Sequence, residues 1–116
     1  MIDRSPRQQV EDILLAIRKV KRYTAGLSAD ALAQNEMASD AVLRNFEVIG
    51  EAARNLPDEL KSAHPEIPWR RMVGLRNVII HEYFGVDMLI VWELAVHAVP
   101  ELEPQLAALL AELPSD

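Results

Sequence analysis

From the N-terminus onward, apolar positions recur every three to four residues, and no stretch alternates as a half-buried strand does. Val10, Ile13, Leu14, Ile17 and Val20 make one helical stripe, with Arg18, Lys19, Lys21 and Arg22 on the other faces. Gly26 is placed to stop that helix, and Ser28 to cap a short turn through Ala33. A second long helix is predicted from about Asn35 to Leu56, burying Val42, Phe46, Ile49, Ala53 and Leu56 and ending at Pro57. Gly50 sits in its middle. A mid-helix glycine costs about 1 kcal/mol relative to alanine, so this position predicts a close helix–helix approach.

Pro57-Asp58-Glu59-Leu60 reads as a proline-started short helix, and Pro65 to Pro68 as a connector. A third helix from Trp69 carries Met72, Val73, Val78, Ile79 and Ile80 toward the core and reaches about His81 or Tyr83. Gly85 then permits a turn, and Asp87 can cap a final helix. From Met88 to Val99 only Glu93 and His97 are polar, four apart on one narrow stripe. A helix apolar nearly all round is either central in a bundle or shared with a second subunit. In so short a chain the pattern favours a two-fold homodimer with this helix near the interface. Pro100 and Pro104 are expected to kink it or break it in two. The predicted fold is all-α: an up-and-down bundle of four to five helices in one domain, residues 1–116.

Composition narrows the function classes. Half of the 116 residues are hydrophobic, enough for a single core, and none is cysteine. That excludes a disulfide framework, thiol catalysis and thiolate metal sites. The first apolar stretch contains acids, and no apolar run approaches the roughly 18 residues of a membrane span. A cytoplasmic location with no membrane contact is expected. The net charge of −6 argues against a general nucleic-acid coat. Its distribution is uneven, however: residues 1–26 hold six basic and three acidic groups, and 86–116 hold six acids and no Lys or Arg. Around Trp69 to Gly85 the basic groups Arg70, Arg71 and Arg76 outnumber the single acid, Glu82. A local basic groove on an acidic body is compatible with this pattern, as is a basic protein partner for the acidic part.

Most polar motifs lead nowhere. His81-Glu82 begins like the zinc-protease HExxH, but the fifth residue is Gly85. Glu93 and His97 have i,i+4 ligand spacing without a third ligand, so a solvated stripe is the better reading. His64, between Ala63 and Pro65, reads as a loop residue. No glycine-rich phosphate loop is present, and no metal or cofactor is expected.

Arg76-Asn77-Val78-Ile79-Ile80-His81-Glu82-Tyr83 is different. It sets a permanent cation, a group titrating near neutrality and a phenol within about two helical turns. Metal-free phosphodiester cleavage needs a proton shuttle and a positive charge beside the phosphate. Spacing alone also fits a histidine favoured by the dipole at a helix C-terminus, with a surface arginine nearby. Arg76 and Tyr83 share a face, as do Asn77 and His81. Arg76 and His81, five apart, diverge by about 140° on an ideal helix. They meet at one phosphate only if the helix distorts or if side chains reach across a two-fold axis.

The motif Arg76-x4-His81-x-Tyr83 resembles the RxxxxHxY signature of the HepT-like branch of the HEPN superfamily. Leu43-Arg44-Asn45-Phe46-Glu47-Val48-Ile49-Gly50-Glu51-Ala52-Ala53 resembles that branch's second-helix block, and Trp69-Arg70-Arg71-Met72-Val73-Gly74-Leu75 leads into the motif as it does there. Val86-Asp87 and Val91-Trp92-Glu93 complete a likeness spanning roughly residues 8–113. The resemblance implies a HEPN-like helical homodimer acting as the toxin of a type VII-like toxin–antitoxin module. It implies metal-independent endoribonuclease action on cellular RNA, with Arg76 and His81 as the catalytic pair and Asn77 in support. Arg70 and Arg71, with the Arg18–Arg22 cluster, would supply positive charge for RNA. The implied partner is a minimal nucleotidyltransferase antitoxin that transfers AMP to Tyr83. The competing expectation is a non-catalytic subunit that binds nucleotide or substrate for such a nucleotidyltransferase.

Overall fold

The structure, a computed structural model, describes residues 4–82 and 87–116, with side chains for all of these except 79–82. Every regular element among the described residues is helical. Helix α1 (Pro6–Thr24) begins with Ser5, whose hydroxyl accepts from the Gln8 amide while the Gln8 side chain accepts from the Ser5 amide. This reciprocal cap satisfies two of the orphan donors at the helix start, and Pro6 needs no donor partner there. The predicted stripe Val10, Ile13, Leu14, Ile17 and Val20 is buried throughout. The chain leaves α1 through Gly26, whose φ of +75° suits a residue without a side chain.

Ser28 caps α2 (Ala29–Gln34), and Asn35 caps α3 (Glu36–Asn55) by accepting from the Ala38 amide at 3.0 Å. Val42, Phe46, Ile49, Ala53 and Leu56 are all buried, as the periodicity predicts. Helix α4 (Asp58–Ala63) follows Pro57, and Lys61 reaches back to the α3 carbonyls of Ala53 and Arg54 at 3.1 and 3.3 Å. A cation at that end complements the helix dipole and the unpaired carbonyls. Helix α5 (Trp69–Glu82) is anchored at its start by the Trp69 indole, which donates to the His64 carbonyl at 3.0 Å. Its buried line is Met72 and Leu75, with Val73 and Val78 only half-buried. Ile79 and Ile80, expected in the core, lie outside the described side chains, and Gly85 outside the described residues.

The final run is interrupted near Pro100 and Pro104, as expected, with a π turn that the periodicity does not predict. Asp87 caps α6 (Met88–Glu93) through the Leu89 amide at 2.9 Å, as expected. A π-helical turn, Leu94–Ala98, then widens the ladder so that the Val99 amide reaches back five residues to Leu94. Pro100 has no amide hydrogen and its ring crowds the carbonyl four residues earlier, so a wide turn ahead of it relieves the clash. After α7 (Val99–Glu101) the run breaks at Leu102 and resumes as α8 (Glu103–Glu112), with Pro104 in its first turn. Val91, Ala95, Val99, Leu102, Leu106 and Leu109 form one buried line down the whole run. Leu89 and Ile90 are about half exposed, so this helix is not central in the chain.

Helix α1 is the hub. It packs against α3 on one side and against the π turn, α7 and α8 on the other, while α5 packs on α3 and α6 on α2. The Trp92 indole donates to the Leu27 carbonyl at 2.8 Å, fixing the run to the end of α1. Counting the run as one element, the described residues form four long bundle members and two short helices. The short ones are α2, capped by Ser28, and α4, which starts at Pro57, both at positions where the sequence predicts short turns.

Candidate functional site

The crossing of α3 and α5 sets the position of Arg76. At Gly50 a Cβ atom would lie 2.6 Å from Arg76 Cγ and 3.2 Å from the Val73 carbonyl oxygen. Only glycine admits so close an approach, so the predicted helix contact exists and Arg76 itself fills it. The aliphatic stem of Arg76 thus lies on α3, and its Nε is 3.3 Å from Oε2 of Glu51, the next residue along. The side chains retain 36% and 48% of their free exposure, so both charges face water while the stem is covered.

Other predicted residues scatter. Asn77 is exposed on α5, one residue after Arg76. Backbone helix continues through His81 and Glu82, whose side chains lie outside the description, as does the whole of Tyr83. Arg70 and Arg71 are exposed in the first turn of α5. They are rotated by roughly 120–140° from Arg76 on an ideal helix, so neither shares its face. Arg71 instead borders a cleft of about 790 Å³ between α5 and the final run, with Gly74, Leu75, Leu94 and Val99.

In the Arg18–Arg22 cluster two of the cations make contacts within the fold. Arg18 Nε and Lys21 Nζ sit 3.0 and 2.7 Å from the two carboxylate oxygens of Glu103. Lys21 and then Arg18 hold the Glu103 carboxyl below its ordinary pKa. Arg22 lies over the Tyr23 ring, 5.2 Å from its centroid. These cations tie α8 to α1 and cover an aromatic face; Lys19 is the member of the cluster left out of these pairs. Periodicity could not reveal this, because Glu103 is more than eighty residues away in the chain.

His64 closes α4, and its Nδ1 is 3.5 Å from Glu66 and 3.9 Å from Glu112. Glu93 and His97 face each other at 3.6 Å on the exposed side of the π turn. Among the described residues no group of three His, Asp or Glu side chains is arranged to hold a metal ion. Glu51 is the residue that sequence reasoning passed over as part of a longer block. Its signal was positional: it follows the glycine that marks the helix crossing.

A family model described as Ribonuclease HepT-like matches residues 13–109, from the middle of α1 to near the end of α8. The chain belongs to the HepT-like ribonuclease family. "Putative RNase TTE0752" of Caldanaerobacter subterraneus subsp. tengcongensis is 36% identical over 107 residues, covering 92% of this chain and 96% of the relative. "Probable ribonuclease HepT" of Thermococcus cleftensis is 38% identical over 100 residues, covering 86% and 91%. "Putative RNase MJ1380" of Methanocaldococcus jannaschii is 34% identical over 105 residues, covering 90% and 96%. No solved structure matches the chain. The matched span contains the α3–α5 crossing and the whole Arg76–Tyr83 motif, so the HepT-like assignment rests on the region that carries the candidate chemistry. No helix of the described residues is long and apolar enough to cross a membrane.

Proposed function

We propose that this HepT-like chain is a metal-independent endoribonuclease, the toxin of a toxin–antitoxin module, with Arg76 and His81 as its catalytic pair. The family match over residues 13–109, which encloses the complete RxxxxHxY motif, is the observation that carries the reading. The half-exposed guanidinium of Arg76, on a stem covered by α3, supports it. In the reaction the ribose 2′-OH attacks the adjacent phosphorus and loses its proton to an imidazole. The P–O5′ bond breaks and the leaving oxygen takes a proton, giving a 2′,3′-cyclic phosphate and a 5′-OH. His81 serves as the base, and its copy in a second protomer supplies the proton. Arg76 stabilises charge on the non-bridging oxygens, with Asn77 beside it.

A homodimer fits this division of labour, because Arg76 and His81 diverge by about 140° on one ideal helix. The half-exposed Leu89 and Ile90 of α6 are the apolar surface such a dimer would cover. Arg70 and Arg71, exposed in the first turn of α5, help to attract cellular RNA in the cytoplasm. The partner is a minimal nucleotidyltransferase antitoxin that places AMP on Tyr83, adding a negative phosphodiester and an adenosine beside the site.

The test is expression of the chain alone and with its nucleotidyltransferase, with RNA ends mapped and Tyr83 followed by mass spectrometry. Growth arrest, 2′,3′-cyclic ends formed in the presence of EDTA, and a fall of about 10²–10⁴-fold with His81→Ala are expected. Cleavage undiminished by His81→Ala would remove the catalytic assignment. An inactivated toxin with unmodified Tyr83 would replace AMP transfer by steric inhibition. Leu89→Ser with Ile90→Ser should yield monomers in sedimentation; an intact dimer would move the interface elsewhere.

A further inference from the structure

Arginine can grip an oxyanion in two bidentate ways: along the Nε–Nη edge, or end-on through its two Nη groups. Here the Glu51 carboxylate stands beside the Nε edge as an ion pair. Glu51 Oε2 lies 3.3 Å from Arg76 Nε, and the Cγ of the same side chain is pressed against Gly50. The stem is therefore held at one point by shape and at a second by charge. A phosphate approaching along the Nε edge would meet the Glu51 carboxylate and be repelled. The end-on fork through the two Nη groups is the remaining mode.

We propose that Glu51 is the positioning residue of Arg76: with Gly50 it forms a seat on α3 that turns the two Nη groups toward the scissile phosphate. The inference rests on the ribonuclease reading of Arg76 given above. It explains why an acid stands beside the site of an enzyme that must attract RNA. Glu51 fills one edge of the guanidinium and leaves the other for substrate. The pair is half exposed, so its effect on folding is small while its effect on orientation is not. A misplacement of the order of 1 Å at a catalytic group can cost about 100-fold in rate.

The experiment is a double-mutant cycle on kcat with Glu51→Ala, Arg76→Ala and both, using a labelled single-stranded oligoribonucleotide that the wild-type chain cleaves. The Arg76 Nε–H resonance is followed by NMR in the same variants. Glu51→Ala should lower kcat by about 10- to 100-fold with little change in KM or unfolding midpoint. It should also shift the Arg76 Nε–H signal and add no further loss once Arg76 is alanine. Glu51→Gln keeps the shape but removes the charge beside Nε, and should lose rate nearly as Glu51→Ala does. Independent, additive losses would overturn the proposal, as would a Glu51→Ala variant that cleaves at or above the wild-type rate. A wild-type chain that cleaves no RNA under any expression condition would instead sink the ribonuclease reading, and this inference with it.

Discussion

The α3–α5 seam and the final run from Met88 to Glu112 solve the same packing problem in opposite ways. At the seam two regular helices come into backbone-level contact because Gly50 is bare, and the space is filled by Arg76. In the run the ladder itself gives way, widening over Leu94–Ala98 and breaking at Leu102 so that one apolar line stays on α1. The two glycines of the seam helices make the contrast concrete. A Cβ on Gly50 has no room, whereas a Cβ on Gly74, which borders the cleft between α5 and the run, meets nothing within 4 Å. The tight seam fixes the stem of Arg76; the run leaves a cleft and keeps its order through polar ties.

Breaking the core behind the seam should have the largest effect. Phe46 is fully buried on α3, and Phe46→Ala should cost about 3–5 kcal/mol in urea unfolding, through lost transfer energy plus a cavity. Gly50→Ala comes next. The added methyl must push on Arg76 and on the Val73 carbonyl, so a net loss of about 1–3 kcal/mol is expected despite the better helix propensity. A neutral or stabilising Gly50→Ala would show that the seam is loose in solution.

Across the cleft the effects shrink. Trp92→Phe keeps the ring but leaves the Leu27 carbonyl without its donor, for a loss of about 1–2 kcal/mol and earlier hydrogen exchange in α6. Gly74→Ala reverses the sign of the Gly50 change: with open space around it, the chain should gain about 0.5–1 kcal/mol, read as a higher melting temperature.

The smallest effect is a pH dependence. Lys21 and Arg18 lower the folded-state pKa of Glu103. A depressed carboxylate contributes stability above its unfolded pKa, about 4.3, and loses that contribution as pH falls through the lower folded value. Glu103→Gln should therefore unfold at less urea than wild type at pH 7, and the gap should close toward pH 3. A gap independent of pH would mean that the tie of α8 to α1 is packing alone.

Local rules account for most of the helices. Capping groups at Ser28 and Asp87, the stop at Gly26, and the buried lines of α1 and α3 follow from side-chain chemistry and the 3.6-residue period, which need no knowledge of neighbours. Gly50 even announced a close approach. The RxxxxHxY motif and its flanking blocks were legible as a HepT-like likeness for the same reason, since a motif is local text.

What no local rule contains is which element answers which. That Arg76 fills the space at Gly50, that Glu51 stands beside its Nε, and that Glu103 takes up Arg18 and Lys21 are contacts between distant segments. The α5 core line through Leu75, and the π turn ahead of Pro100, were likewise settled by what those helices pack against. The sequence by itself determined an all-helical chain with a cation, an imidazole and a phenol near one helix end. Tertiary structure decided which basic groups are engaged elsewhere and which way the crucial arginine is held, because a charge is aimed by its neighbours in space, not by its neighbours in the chain.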